Sequence, residues 1–231
     1  MKYFILGTLF LSTLFPLNCN FKQLTCINSQ TAFVFDFHGV VAEFKLTKAI
    51  QGFFKNSHKA KFLKKLLNQK KGHSIEEAFL DEQGYISKED ISTLNPYVIN
   101  QDLIETIKQL KNSGYPVFLC SNIGEKMFEA YQEKYPNLFG EDGLFCGCWH
   151  GTKENNYINK NNPRAFDLCK EMIDKWAKEN NKPISRFIMI DDSDKKLKCA
   201  ETKGFEGYKF KSNKKFKLAL KWANILKKRG G

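Results

Sequence analysis

The chain of 231 residues has no apolar run long enough to cross a membrane comfortably in its body or at its start. The run YFILGTLFLSTLF follows Lys2 and ends at Pro16, short of the roughly 20 residues of a spanning helix. A basic start and a short apolar core are two parts of a secretory signal. The third part is poor, because PLNCNF lacks small residues at the expected cleavage positions, and Asn18 is unsuited to lipidation of Cys19. Residues 1–26 are therefore read as a signal peptide or an N-terminal anchor. An exported or periplasmic location is expected, with a cytoplasmic one as the alternative.

A full disulfide framework is also missing. Seven cysteines cannot all pair, and most stand in apolar runs, where free cysteine behaves as a small hydrophobe. In CGCWH an extended backbone puts Cys146, Cys148 and His150 on one side. No fourth ligand accompanies them, so core packing is the stronger reading over a metal site. Internal repeats and low-complexity tracts are absent. Acidic residues are outnumbered, 25 against 37 Lys and Arg, for a formal charge of +12. Such a balance admits nucleic acid, a membrane surface or a phosphorylated substrate as partner. The lysines spread over most of the chain, and the basic helices Lys55–Lys71 and Lys214–Lys228 carry no recognised reading module. Nucleic acid is thus a possible but not a favoured partner.

What is present is a hydrophobic content of 42%, enough for a sizeable core. FVFDFHGVV, residues 33–41, reads as a buried strand ending on Asp36. Residues 44–96 read as helical: lysine-rich segments at helical spacing, then SIEEAFLDEQG with Ser74 and Glu77 as a capping pair, then a short helix stopped before Pro96. No strand is expected between Val41 and Pro96. From Asn100 the pattern alternates. NQDLIETIKQLKNSG is a helix, YPVFLC a strand, IGEKMFEAYQEKYP a helix, and GLFCGC a strand. PRAFDLCKEMIDKWAKENN is a long helix, RFIMI a strand, DKKLKCAETKG a helix, FEGYKF a strand and KKFKLALKWANILKK a basic amphipathic helix. This order predicts an α/β fold, a parallel sheet with helices on both faces. Residues 31–43 and 97–231 form its core, and residues 44–96 are a small α-helical insert after the first strand.

Ligand sites in such sheets lie at the carboxyl ends of the strands. Asp36 stands there, as do Ser121 and Asn122, then Asp191, Asp192 and Ser193, with Lys160 just before the long helix. Mg²⁺ takes one or two carboxylates, waters and phosphate oxygens. Asp36 with one or both of Asp191 and Asp192 can supply the carboxylates. A carboxylate can also attack phosphorus. Lys160 can offset the charge, and Ser121 can hydrogen-bond a phosphoryl oxygen.

Four segments in order resemble the motifs of the haloacid dehalogenase-like (HAD) hydrolases: FVFDFHGVV, VFLCSNIGEK, NKNNPRAF and FIMIDDSDKKLKCAETKGFEGYKF. The resemblance runs from Thr31 to about Phe210. It implies a Rossmann-like fold, with residues 44–96 as the helical cap of subclass I members in a sugar-phosphatase-like branch. It further implies a Mg²⁺-dependent phosphatase of a small phosphorylated molecule. Asp36 is then nucleophile and metal ligand. Ser121 and Asn122 lie at the phosphate, and Lys160 stabilises its charge. Asp191 and Asp192 hold the metal, Asp192 directly. Lys153 is the fallback for Lys160, because GTKENNYINK is longer than the usual connection. A helix-capping role for Ser121 is the competing reading.

His38 departs from the pattern. Phosphatases of the family usually carry a second Asp there, which protonates the leaving oxygen and then activates water. Only the backbone carbonyl of that position reaches the metal, so His38 can keep the contact. An imidazole can serve as acid and then base, although positive charge beside Mg²⁺ lowers its pKa and weakens the acid. The alternatives are a catalytically weak member with a binding role, and a phosphatase acting on nucleic-acid ends. A dehalogenase ranks lower, since those enzymes need no Mg²⁺ and the acidic pair is kept.

Overall fold

A computed structural model describes residues 24, 27–45, 47–48, 97–140 and 142–226. The expected signal or anchor, residues 1–26, lies outside them apart from residue 24. So does the expected helical cap, residues 44–96, apart from 44, 45, 47 and 48.

Among the described residues the strands are β1 (Thr31–Phe35), β2 (Ala42–Phe44), β3 (Tyr97–Ile99), β4 (Val117–Gly124), β5 (Cys148–Gly151), β6 (Arg186–Asp191) and β7 (Glu206–Lys209). The helices are α1 (Gln101–Asn112), α2 (Glu125–Lys134), α3 (Pro136–Phe139), α4 (Arg164–Glu179), α5 (Asp194–Glu201) and α6 (Asn213–Trp222). Five strands pair in the order β5-β4-β1-β6-β7, every pair parallel. The chain builds outward from β1 to β5, returns to β6 and continues to β7. The order therefore reverses between β1 and β6, where an open α/β sheet offers a crevice.

Both faces of the sheet are covered, as the unbroken apolar strands require. Phe33 and Phe35 of β1 join one buried cluster with Leu103 and Ile107 of α1, Met127 of α2 and Phe216 of α6. Ala32 and Val34 point the other way, to a cluster with Ala165, Phe166 and Cys169 of α4 and Leu197 of α5. That split is the two-residue period of a strand. The α1 start is as expected: the side chain of Asn100 accepts from the Leu103 N–H.

Two local readings are corrected. GLFCGC is not the third parallel strand; β5 begins only at Cys148. The Leu144 and Phe145 N–H groups instead bond Asn137 and Leu138 carbonyls at α3, and both side chains enter the core. The second correction is a strand before Pro96. β2 pairs antiparallel with β3, Ala42 opposite Ile99 and Phe44 opposite Tyr97. Three residues are too few for alternation to register in a sequence. The Asn100 side chain ties this ribbon to Glu43 at 2.6 Å. Among the described residues, no helix is long and apolar enough to cross a membrane.

Candidate active site

The register of β1 and β6 makes the site. Phe35 lies opposite Ile190, and the Asp36 N–H donates to the Ile190 carbonyl at 2.8 Å. Asp36 and Asp191 are therefore side by side at the ends of adjacent strands. Lys160, from the segment before α4, inserts between them. Its Nζ lies 2.7 Å from Asp36 Oδ1 and 2.7 Å from Asp191 Oδ2, and its side chain is fully buried. Two further donors fix the carboxylates: the Phe37 N–H gives to Asp36 Oδ1 at 2.8 Å, and the Ser193 N–H to Asp191 Oδ1 at 2.8 Å.

Lys153, the fallback, is exposed in a turn. The extra length of its segment folds on itself: Thr152 and Asn155 bond reciprocally and Asn155 holds the His150 carbonyl. Asn156 and Tyr157 take left-handed backbone there. The segment is then pinned at its far end, where Asn122 Oδ1 accepts from the Lys160 N–H at 2.7 Å. Asn122, expected at the phosphate, thus holds the backbone of the lysine. Ser121 is buried within β4. It is not a helix cap, since Gly124 occupies that position for α2.

Burial opposes charge on all three central groups. For Asp36, Lys160 and Lys196 outweigh that penalty and hold the carboxyl well below its usual range. For Lys160, Asp36 and Asp191 outweigh it and raise the ammonium above the usual lysine value. Asp191 is pushed up by burial and by the charge of Asp36.

Asp36, Asp191 and Asp192 each offer an oxygen, and these lie within 4.8 Å of one another. Asp192 is exposed and folds over Gly39, whose backbone has φ +88°. A Cβ at Gly39 would stand 2.2 Å from Asp192 Oδ2. Hard oxygen donors in this number suit Mg²⁺ or Ca²⁺ rather than a softer ion. Among the described residues, Cys146, Cys148 and His150 form no comparable cluster; His150 stacks on Phe128 at 4.1 Å.

His38 sits beside the carboxylates with its ring 4.1 Å from that of Tyr97 and 5.0 Å from that of Phe37. Its Nε2 is buried and has no hydrogen-bond partner among the described residues. Burial, helped by Lys196 and Lys160 against Asp36, pushes the imidazole down to about 3. At neutral pH the imidazole is therefore uncharged, with one ring N–H and one bare ring nitrogen. Burial and the nearby Asp192 and Asp36 charges push the Tyr97 hydroxyl up to about 12.

Two neighbours of the site escaped the sequence reading. Tyr97 lay beyond the insert, with nothing to tie it to His38. Lys196 approaches Asp36 Oδ2 at 3.2 Å. The usable signal was its place in the first turn of a helix that starts just past Asp192.

No protein-family model and no curated relative matches the chain in sequence. Solved structures do match in shape. A HAD-family enzyme from Bacteroides thetaiotaomicron, in complex with magnesium and inorganic phosphate, is similar at a TM-score of 0.52 and 21% identity, over 78% of this chain and 94% of that one. A HAD-like family hydrolase from Porphyromonas gingivalis is similar at 0.51 and 19%, over 79% and 91%. The α/β fold of this chain is the fold of those enzymes.

Proposed function

We propose that this chain is a magnesium-dependent phosphatase of small phosphorylated molecules that works through an aspartyl-phosphate on Asp36. The carrying observation is the buried Lys160 bridging Asp36 and Asp191 at 2.7 Å each, beside a third carboxylate. A lysine buried without function is rare and costly; here it readies a carboxylate site for a second anion. The Bacteroides structure with magnesium and phosphate supports the choice of metal and ligand. Asp36, Asp191 and Asp192 would hold the ion, with the His38 backbone carbonyl as a further oxygen. When bound, it supplies positive charge that offsets the phosphoryl oxygens.

This chain's residues do the rest. An Asp36 carboxylate oxygen forms the bond to phosphorus. The ester P–O bond breaks, and its electron pair leaves with the alkoxide, which takes up a proton from solvent water. Lys160 offsets charge on the phosphoryl oxygens, and Ser121 donates a hydrogen bond to one of them. Water then attacks phosphorus, the bond to Asp36 breaks, and the carboxylate is regenerated. That water gives its proton to solvent, since an imidazole held down to about 3 is too weak a base to take it. His38 also cannot deliver a proton to the first leaving group at pH 7, so esters whose oxygen leaves unprotonated are the better substrates. A dehalogenase ranks lower, since those enzymes need no Mg²⁺ and the three carboxylates placed together suit one.

A screen of phosphorylated metabolites and aryl phosphates, with Mg²⁺ and with EDTA, tests the reading. Turnover that requires Mg²⁺ is expected. Hydrolysis unaffected by EDTA, or release of halide from a haloacid, overturns it.

A further inference from the structure

Asp36 is met by two lysines of different character. Lys160 is fully buried and spans two carboxylates. Lys196 takes the other Asp36 oxygen, Oδ2, at 3.2 Å, and its side chain keeps 22% of its surface exposed. Its backbone is firmly placed. It stands in the first turn of α5, where the Leu197 N–H bonds the Ser193 carbonyl at 3.0 Å, and Leu197 and Ala200 anchor the helix in the core. Lys196 thus has a fixed root and a tip that solvent can reach.

Formal charge shows what such a tip does. Three carboxylates against Lys160 alone leave the cluster at two negative charges; Lys196 reduces that to one. The first state favours a divalent cation and repels a phosphate. The second holds the cation less tightly and admits the phosphate more readily. We propose that Lys196 is a built-in counter-cation of the site, which weakens divalent-metal binding at Asp36 and strengthens binding of the phosphoryl anion. In the metal-free protein it pairs with Asp36 Oδ2. When that oxygen is needed for phosphorus, the flexible ammonium transfers to an oxygen of the incoming anion. The phosphate half of this role rests on the phosphatase reading; the metal half does not.

Metal and anion binding, measured separately on the full chain, test it without turnover. Mn²⁺ binding is followed by electron paramagnetic resonance in wild type, Lys196→Met and Lys196→Arg. Inorganic phosphate binding is followed by calorimetry at saturating Mg²⁺. Lys196→Met keeps the apolar stem and should fold normally. It is expected to bind Mn²⁺ roughly tenfold more tightly and phosphate roughly tenfold more weakly, the scale of one partly solvated charge. Lys196→Arg should stay close to wild type on both. Unchanged Mn²⁺ affinity in Lys196→Met, or both affinities moving in the same direction, overturns the proposal. A wild type that takes Mn²⁺ but no phosphate defeats the phosphatase reading, while tighter Mn²⁺ binding by Lys196→Met would still support Lys196 as the opposing charge.

Discussion

The ammonium of Lys160 lies 2.7 Å from Asp36 Oδ1, and neither side chain exposes more than 1% of its surface. Between two buried carboxylates, the lysine supplies the charge that their burial requires. Its removal leaves Asp36 and Asp191 adjacent, buried and without their shared cation.

Lys160→Met is therefore expected to abolish turnover and to destabilise the metal-free fold by about 3–5 kcal/mol near neutral pH. The sign with pH follows from the raised lysine value. Its contribution is complete below the unfolded lysine pKa of about 10.4 and is lost as pH rises through the higher folded value. Urea denaturation in EDTA at pH 7.5 and 11 checks this. The gap between wild type and variant should narrow at pH 11; an equal gap at both would count against a charged Lys160.

Asp36→Asn keeps the size of the side chain and removes the attacking charge. The expected result is loss of turnover with an unchanged fold, read by circular dichroism and steady-state kinetics. Turnover near the wild-type level would eliminate the covalent route.

His38 held uncharged gives a leaving-group signature. Wild type should turn over an aryl phosphate much faster than an alkyl phosphate. His38→Asp, which restores a carboxylic acid, should raise alkyl-phosphate turnover by about 10²-fold while moving the aryl substrate much less. Rates on both substrates for wild type, His38→Ala and His38→Asp decide the matter. An Asp variant that gains nothing on the alkyl ester would show that protonation of the leaving group is not what limits the proposed turnover.

Gly39 should not tolerate a methyl group. Its φ of +88° disfavours any L side chain, and the new Cβ would fall 2.2 Å from Asp192 Oδ2. Gly39→Ala should lower stability by about 1–2 kcal/mol and weaken Mn²⁺ binding by displacing Asp192. Calorimetric Mn²⁺ titration reads the second effect. Unaltered metal affinity would remove Asp192 from the ligand set.

Sequence alone determined the architecture and the carboxylates that gather at its rim, because those are written in short-range patterns. Unbroken apolar strands such as RFIMI require cover on both faces, and their alternation with helices requires parallel pairing. Asp36 and Asp191 were legible because a charge ending a buried strand is conspicuous. Tertiary structure decided which groups meet. Sequence placed Lys160 ahead of Lys153 without excluding the latter; the closed turn around Asn155 and the Asn122 bond to the Lys160 backbone bring Lys160 to the carboxylates. Leu144 and Phe145 have the composition of a strand, yet their N–H groups are satisfied at α3. Tyr97 reaches the site only because the β2–β3 ribbon carries it to the rim, and Lys196 meets Asp36, 160 positions away in the chain, only because β1 and β6 are neighbours. The state of His38 was likewise set by the fold. Its ordinary pKa is a property of the residue; burial among aromatic rings, with two lysines near, keeps it uncharged at neutral pH.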